Sequence, residues 1–365
     1  SVTDEMSGSI FSANTIAGLP VIEAFSDNKV NLGPFSSPVH IDSSGNISGS
    51  STSTGSFGVL RLANYNAGYG PKSNTTFGQF ALGALTTGVR NLAMGSGSLA
   101  KVTVGYDNIA IGHASMGSFN PGSSHFQNVC IGNSTMTAAG TIGGVSNTFV
   151  GHGVASGVWA TATSNYNVGI GTGCMVGAMN AANYNVSIGY RSCEDLTEGD
   201  YNVIVGHKAG LQLTTGDHNT LLGNKAGDEL TTGNYNTAVG SQALNALDAS
   251  EADNTALGYN AGSSCDGGDD NIFIGSGANP NAAGDDNSIV IGKGATGIGA
   301  NTTVIGNDST TTTLLRGTIS GSLIRSSGDV IAYFSSDERL KDNIKLIENP
   351  IEKIQQLRGV EYQWN

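Results

Sequence analysis

The pentapeptide Asn202-Val203-Ile204-Val205-Gly206 is one copy of a short motif, Asn-x-x-apolar-Gly, that recurs along most of the chain. Its asparagines are Asn74, Asn91, Asn108, Asn128, Asn147, Asn167, Asn185, Asn202, Asn219, Asn236, Asn254 and Asn271, and its glycines continue to Gly292 and Gly306. Most copies lie 17 residues apart, several lie 18 to 20 apart, and the last step is 14. A repeat of this length predicts a solenoid, because stacked copies bury what one copy cannot.

Each copy also has the pattern of a short strand. The residue one after the asparagine is often β-branched, and the residue three after it is bulky and apolar, as Val203 and Val205 illustrate. Such period-two spacing is typical of a strand with one committed face. We therefore predict that the first and third side chains point inward, and that the residue after each glycine, which is usually polar, faces water.

The second half of each copy predicts a second wall of the coil. Three residues after the glycine stands a small residue such as Ala209 or Ala226, which indicates a tight backbone approach within one coil or between chains. Several copies place an inward anchor seven residues after the glycine: Leu85, Leu196, Leu213, Leu230 and Leu247. A Thr-Thr-Gly or Thr-Glu-Gly turn follows, where glycine permits positive φ.

The predicted fold class is therefore all-β: an elongated, trimeric β-solenoid or β-roll of about fourteen coils of 17–20 residues, with a short C-terminal α-helical segment. Stacked coils rise by ~4.8 Å each. The asparagine that opens each coil is expected to stack on its neighbours, with its side-chain amide bonded at the turn.

Composition excludes several classes of protein. Among 365 residues there are 54 glycines and only 12% charged residues, yet the chain is too apolar and too periodic for disorder. The net charge of −13 argues against nucleic acid as a partner, since phosphate binding requires clustered Lys and Arg. No apolar run reaches 18 residues, so membrane insertion is not expected.

Cysteine and histidine are scattered. The four cysteines occupy differing repeat positions without a CxxC pair, which favours small buried side chains over disulfides or a metal site: Cys130, Cys174, Cys193 and Cys265. His113, His152 and His207 share the exposed position after the glycine but fall in non-adjacent coils. We interpret them as surface residues rather than metal ligands.

The repeat divides the chain into four parts. Residues 1–70 lack it and are predicted to form an N-terminal β module, with strands at Ser9–Ser12, Pro20–Phe25, Lys29–Leu32 and Gly55–Leu62. The repeat array is assigned to 71–308, a terminal β segment to 309–335, and a final domain to 336–365.

The final domain is predicted to contain a helix. Asn349 is a good N-cap, Pro350 suits the first helical position, and Glu352 completes a capping box. Gly359 is the expected end of the helix. A helix after a wholly β chain marks a domain boundary.

The segment that opens this domain carries a specific motif. Ser336, Asp337, Arg339, Lys341 and Ile344 fit the pattern Ser-Asp-x-Arg-x-Lys-x-x-Ile. It resembles the opening of the intramolecular chaperone domain at the C-terminus of phage tail spikes and tail fibres, also called the endosialidase-type self-cleaving peptidase. The resemblance covers about thirty residues, so we expect only the start of that domain, in truncated form.

That resemblance implies a self-cleavage site. The family cuts its own chain just before the motif serine, so Ser336 would be the nucleophile and Lys341 the base, with Asp337 orienting the pair and the Ser335–Ser336 bond being cut. A lysine with a lowered pKa can activate a serine hydroxyl. The chain would then be at most a single-turnover serine-lysine peptidase. The alternative is that these residues are only the charged start of a helix.

The repeat array resembles the heads of trimeric autotransporter adhesins, which stack Asn-x-x-Ile-Gly coils as a trimeric β-roll with a shorter unit. This resemblance implies a homotrimer with small residues near the shared axis.

Two further groups of residues are candidates for ligand binding. Asp269, Asp270, Asp285 and Asp286 cluster in successive loops and could hold calcium, although Asp-Asp-Asn before a strand is also ordinary turn chemistry. No other cofactor is expected. The aromatic side chains that could stack on receptor sugars, or be plain loop aromatics, are Tyr190, Tyr259 and Trp159.

Together these features favour a structural virion protein: a homotrimeric phage tail fibre that binds a host receptor and carries an auto-cleaved C-terminal trimerisation chaperone. Its expected partners are other virion tail proteins and a host surface glycan or protein. One alternative is a trimeric adhesin on the bacterial cell surface. The other is a tail spike that degrades host polysaccharide.

Overall fold

The computed structural model describes five N-terminal strands, residues 74–120, 125–140, 143–159, 162–248 and 250–317, and positions 348 and 351. The chain divides into two compact units, residues 1–309 and 310–365. The strand expected at Gly55–Leu62 lies outside the described residues, as does the C-terminal helix apart from Ile351.

The N-terminal strands form an antiparallel sheet in chain order: β1 (Ser9–Asn14), β2 (Pro20–Phe25), β3 (Val30–Leu32), β4 (Val39–Ile41) and β5 (Ile47–Ser48). The first three coincide with predicted strands to within two residues. The last two had no clear signal in the sequence.

The repeat array is a parallel β-solenoid, which confirms the predicted all-β fold. Its 14-stranded sheet runs in chain order through about 13 turns. The strands are β6 (Thr75–Phe77), β7 (Leu92–Met94), β9 (Ile109–Ile111), β11 (Val129–Ile131), β12 (Thr148–Val150), β13 (Val168–Ile170), β14 (Val186–Ile188), β15 (Val203–Val205), β16 (Thr220–Leu222), β17 (Thr237–Val239), β18 (Thr255–Leu257), β19 (Ile272–Ile274), β20 (Ile289–Ile291) and β21 (Thr303–Ile305). A small parallel pair, β8 (Gly105–Tyr106) and β10 (His125–Phe126), lies outside this sheet.

Every strand of the sheet pairs with the next in the same register, so that Val186 lies beside Val203 and Ile188 beside Val205. Equivalent residues therefore form straight columns along the solenoid. No helix occurs among the described residues between 74 and 317.

A column of buried asparagines runs through the interior and confirms the expected stacking. The backbone N–H and the Nδ2 of Asn202 both donate to Oδ1 of Asn185, at 2.9 and 3.0 Å, and Nδ2 also donates to the carbonyl of Gly216 at 2.8 Å. Asn219 repeats these bonds onto Asn202 and onto Gly233. Each amide thus joins one rung to the next and also closes its own coil.

The column continues after the asparagines end. Ser288 stands where the next asparagine would be, and its backbone N–H donates to Oδ1 of Asn271 at 2.9 Å. Its Oγ donates to the carbonyl of Gly299 at 3.0 Å. The shorter last coil therefore remains attached without an amide side chain.

The side chains of each strand face opposite to the prediction. The middle residue points into the core, as Ile204 shows at 1% exposure, whereas Val203 beside it is 40% exposed. The prediction that the first and third residues point inward is wrong. The physical reason is the asparagine: because it is buried and strand side chains alternate, the residue two positions later shares its face.

The opposite wall of the coil is formed as expected by leucines and small residues. The anchors Leu196, Leu213 and Leu230 are fully buried, and so are Ala209 and Ala226. The small residues therefore mark a tight approach within one coil of a single chain. Because the side chains of Ala209 and Ala226 are enclosed by their own chain, they present no surface to a neighbouring copy.

The closing glycine of each motif is required by both conformation and space. Gly206 has φ of +148°, and a Cβ built on it would clash with the carbonyl oxygen of Gly223 in the next rung. The following position is exposed, as predicted, at His207 and Tyr190.

Replacing Asn202 with alanine should destabilise the array by roughly 2–4 kcal/mol, because it leaves buried partners in two rungs without hydrogen bonds. Urea unfolding followed by circular dichroism measures this as a lower midpoint. Asn224, an exposed asparagine in the next rung, supplies the matched control: Asn224→Ala should change the stability by less than about 0.5 kcal/mol. Equal effects of the two variants would contradict a structural role for the buried column.

Candidate functional site

The outer surface of the 14-stranded sheet is uncharged and largely apolar, with threonine as the first residue of six strands. We define the apolar face as the first and third residues of each strand in that sheet. The third residues are Phe77, Met94, Ile111, Ile131, Val150, Ile170, Ile188, Val205, Leu222, Val239, Leu257, Ile274, Ile291 and Ile305. They are half-buried to exposed in the single chain, with Leu257 at 50% and Ile188 at 36%. No first or third residue of these strands is charged.

Polar and charged columns border this face. The residues that immediately precede the buried asparagines include Arg90 and Asp107, whose side chains form an ion pair at 2.6 Å. The hydrogen bond from Arg90 lowers the pKa of the Asp107 carboxyl. Farther along the same column stand Asp253 and Asp270. The apolar face is therefore a narrow strip bordered by polar and charged residues.

Part of the bordering column is aromatic. Tyr166, Tyr184, Tyr201, His218 and Tyr235 stack on one another with ring centroids 4.9–5.1 Å apart and planes 6–7° from parallel. We call these five residues the ring column. All five adopt positive φ, between 56° and 59°, which places each ring at the same exposed corner of its coil. The rings cover one another's faces, so mainly their edges meet solvent.

The three aromatic residues predicted to bind a receptor differ in solvent exposure. Tyr190 and Tyr259 are exposed as expected, and Tyr190 stacks on the ring of His207 at 5.4 Å. Trp159 is only 2% exposed and packs edge-on against Phe149 in the core, so it is not an exposed receptor-binding residue. The coil between Gly151 and Gly171 is longer than most, and this irregularity hid the inward direction of the ring.

Sequence reasoning missed the ring column, although a signal was present. The residues before the asparagines recur at the spacing of the motif itself, and five successive copies carry a ring there. The exposed Tyr201 and Tyr235 belong to this column and not to the one that contains Tyr190.

The aspartates proposed for calcium bind backbone N–H groups. Asp286 Oδ1 accepts from the N–H of Asp269 at 2.9 Å, and Asp269 Oδ1 accepts from the N–H of Ala252 at 2.8 Å. Asp285 Oδ2 accepts from the N–H of Ala282 at 2.8 Å. The first two bonds join successive rungs, and the third lies within one turn. Asp270 lies in the charged column described above.

A different acidic group is the tightest in the described part of the chain. Carboxylate oxygens of Asp248, Glu251 and Asp266 lie within 4.8 Å of one another, with Glu251 buried and the other two exposed. The histidines His113 and His152 are exposed and separated by the rung of Asn133, in agreement with surface positions.

The four cysteines are buried and free, as predicted. Burial raises the pKa of Cys174 to about 11 and that of Cys265 to about 12. Burial also raises the pKa of Cys130 and of Cys193. Since the thiolate is the reactive form, these side chains are chemically inert parts of the core.

The residues of the predicted cleavage site, Ser335, Ser336, Asp337 and Lys341, lie outside the described residues. Their assignment depends on the sequence motif and on comparison with known families. Residues 336–365 match the family described as the chaperone of endosialidase. No curated protein matches the chain.

The C-terminal match begins at the motif serine and follows the β-solenoid along the chain. An endosialidase-type chaperone segment behind a parallel β-solenoid fits a protein of the tail-fibre or tail-spike type. In the described part of the chain, no helix has the length and apolar character that crossing a membrane requires.

Maleimide should leave the thiols of the native protein unmodified at pH 8, because the four cysteines are buried and protonated. Mass spectrometry of the product measures the number of adducts. The same reaction in concentrated urea should modify all four, and a Tyr190→Cys variant should gain one rapid adduct under native conditions. Prompt modification of the native parent chain would contradict the packed interior.

Proposed function

We propose that this chain is a structural subunit of a phage tail fibre, assembled as a homotrimer on the virion and directed at a host surface receptor. The observation that carries the proposal is the order of its parts: a chaperone-of-endosialidase match at 336–365 behind a 14-stranded parallel solenoid. The role we assign to this chaperone segment is to assist the assembly of the part of the chain that precedes it.

The solenoid suits a load-bearing fibre. Its 13 steps of ~4.8 Å give a rod section roughly 60 Å long. Each rung is bonded to the next through the strand and through the buried asparagines, as at Asn202 and Asn219. A rod joined at every rung transmits force without relying on a single contact.

The C-terminal motif supports removal of the chaperone after assembly. In the proposed step, Lys341 takes the proton of the Ser336 hydroxyl, and Oγ attacks the carbonyl carbon of Ser335. The peptide bond breaks, the Ser336 nitrogen gains the proton, and an ester joins the two residues. Water then hydrolyses the ester, which separates the chain into two pieces. Asp337 orients the lysine and the serine.

Receptor contact is the second part of the proposal. The exposed Tyr190 and Tyr259 and the ring column offer aromatic and hydroxyl groups on surfaces other than the apolar face. A host glycan or a host protein can use such groups. The family match fits a tail spike as well as a fibre, and release of sugars from host polysaccharide by the purified protein would favour the spike.

Expression of the full-length gene product should give a shortened chain whose C-terminal residue is Ser335, and Ser336→Ala should remain full length because no hydroxyl is available. Intact-mass spectrometry measures both. Ser335→Ala is the matched control and should still be cut, since it keeps the nucleophile and the base.

Light scattering on the same samples gives the oligomeric mass. Three chains per particle support the proposed assembly, and one chain per particle argues against it. If the Ser336→Ala and parent chains have identical lengths, self-cleavage at Ser336 is contradicted. The oligomeric mass then still tests the proposed homotrimer independently.

A further inference from the structure

We infer that three cations in successive rungs, together with the ring of Tyr190, form a binding site for an acidic glycan. The inference rests on the proposed receptor-binding role and specifies the chemical class of the ligand. We define the basic column as Arg191, Lys208 and Lys225, each of which stands two residues after a closing glycine. The glycan lies along the solenoid, with its carboxylates on the basic column and a sugar ring against Tyr190.

The basic column gathers every cationic side chain in this part of the array. Arg191, Lys208 and Lys225 are the only Lys and Arg residues between positions 102 and 292. The backbone N–H of Lys208 donates to the carbonyl of Tyr190 in the preceding rung at 2.9 Å, and Lys225 makes the equivalent bond one rung later. All three cations adopt positive φ, between 50° and 54°. The shared conformation places them at one corner of the coil, with a rise of ~4.8 Å per rung.

The two outer cations are positioned by ion pairs and keep donors for a ligand. Arg191 bonds to Glu194 through Nε, and its Nη1 and Nη2 make no hydrogen bond within the described part of the chain. A guanidinium can bind a carboxylate side by side through such a pair of donors. Nζ of Lys225 lies 3.3 Å from Oδ2 of Asp228, which uses one direction of its ammonium.

The central cation lacks the carboxylate that its neighbours have. Glu194 and Asp228 stand three residues after their cations, whereas the equivalent residue after Lys208 is Leu211. Lys208 forms no ion pair with any residue that the structure describes. An anion from outside the chain is therefore the partner that would offset the charge of its ammonium directly.

Tyr190 supplies a surface for a sugar ring at one end of the basic column. One face of its ring stacks on His207, and no second ring stacks on it among the described residues. The preceding rung has only the short Thr172 and then Gly173 at the corresponding positions, and Tyr190 is 49% exposed. A Cβ built on Gly173 would lie 3.4 Å from Cγ of Arg191. The glycine thus leaves space beside the guanidinium for a sugar that packs on the aromatic ring.

The charge of the rest of the chain restricts an anionic ligand to this place. With a net charge of −13, most of the surface repels anions. The exposed Asp195 and Glu229, which follow the paired Glu194 and Asp228, oppose a ligand that shifts off the column. Three cations are too few for the phosphate backbone of a nucleic acid, which requires more extensive Lys and Arg clusters.

Biolayer interferometry with the full-length protein tests the site. One probe is immobilised oligogalacturonate, which has a carboxylate on every sugar, and its matched control is the methyl ester, which has the same sugars without charge. Hyaluronate oligosaccharides provide a second spacing of carboxylates. The protein should bind at least one acidic probe and not the methyl ester, and added salt should weaken the binding because exposed charges are screened.

Two pairs of variants separate the contributions of charge and ring. Lys208→Ala should lower the affinity roughly tenfold or more, because it removes a charged hydrogen bond to the ligand. Lys293→Ala removes the same charge from an exposed position in a distant rung and should leave the affinity unchanged. Tyr190→Phe should still bind, since it keeps the ring, whereas Tyr190→Ala should bind more weakly. Circular dichroism verifies that all four variants keep the parent fold.

The outcomes distinguish this site from the proposed fibre. No binding to either acidic probe, equal binding of the methyl ester, or equal effects of Lys208→Ala and Lys293→Ala would overturn the site. Particle mass and the mapped C-terminus test the fibre independently of these results. A single-chain, uncleaved protein that binds oligogalacturonate through Lys208 contradicts the fibre and supports the site. Displacement of the glycan by an equal concentration of inorganic phosphate would overturn recognition of a sugar.

Discussion

Hydrogen bonds along the buried asparagine column hold the rungs of the solenoid in register. Asn202 accepts two hydrogen bonds from Asn219 in the following rung, and its Nδ2 donates to Asn185 in the preceding rung and to the carbonyl of its own turn. An amide has two donors and two acceptor sites, so this arrangement satisfies it almost completely. Because an unpaired buried amide is costly, a rung that slips out of register loses several bonds at once.

The column also decides which residues are available for function. With the asparagine inside, strand alternation places the second following residue inside and sends the first and third outward. The middle position holds side chains as different in size as Gly169 and Phe273, while the outer columns carry mainly isoleucine, valine, leucine and threonine. An inward-facing amide thus produces an outward-facing apolar ribbon.

Repetition made much of the fold predictable from the sequence. The motif located all 14 strands, the leucine spacing identified anchors such as Leu213, and the glycines marked positions such as Gly206 where a side chain does not fit. The facing of the strands was not predictable from side-chain size, because bulky residues such as Ile204 and Val205 occur on both faces of the same strand. The polar asparagine was the better indicator.

The positions of the aromatic side chains were also predictable only in part from the sequence. Tyr190 and Tyr259 were predictable because they follow the closing glycines. Trp159 was not, because the coil between Gly151 and Gly171 is longer than most and moves this ring into the core. The ring column was recognisable only once the rungs were aligned in three dimensions. In the structure, the ring centroids of Tyr184 and Tyr201, which both precede an asparagine, lie 4.9 Å apart.

Hydrogen exchange of asparagine side-chain amides, followed by NMR on protein labelled with ¹⁵N only at asparagine, measures whether the column is buried and hydrogen-bonded in solution. We expect the side-chain amide protons of Asn185, Asn202 and Asn219 to exchange orders of magnitude more slowly than those of the exposed Asn281. Equally rapid exchange at all four side chains, in a protein that retains its β-sheet signal, would contradict a solenoid held together by a buried amide column.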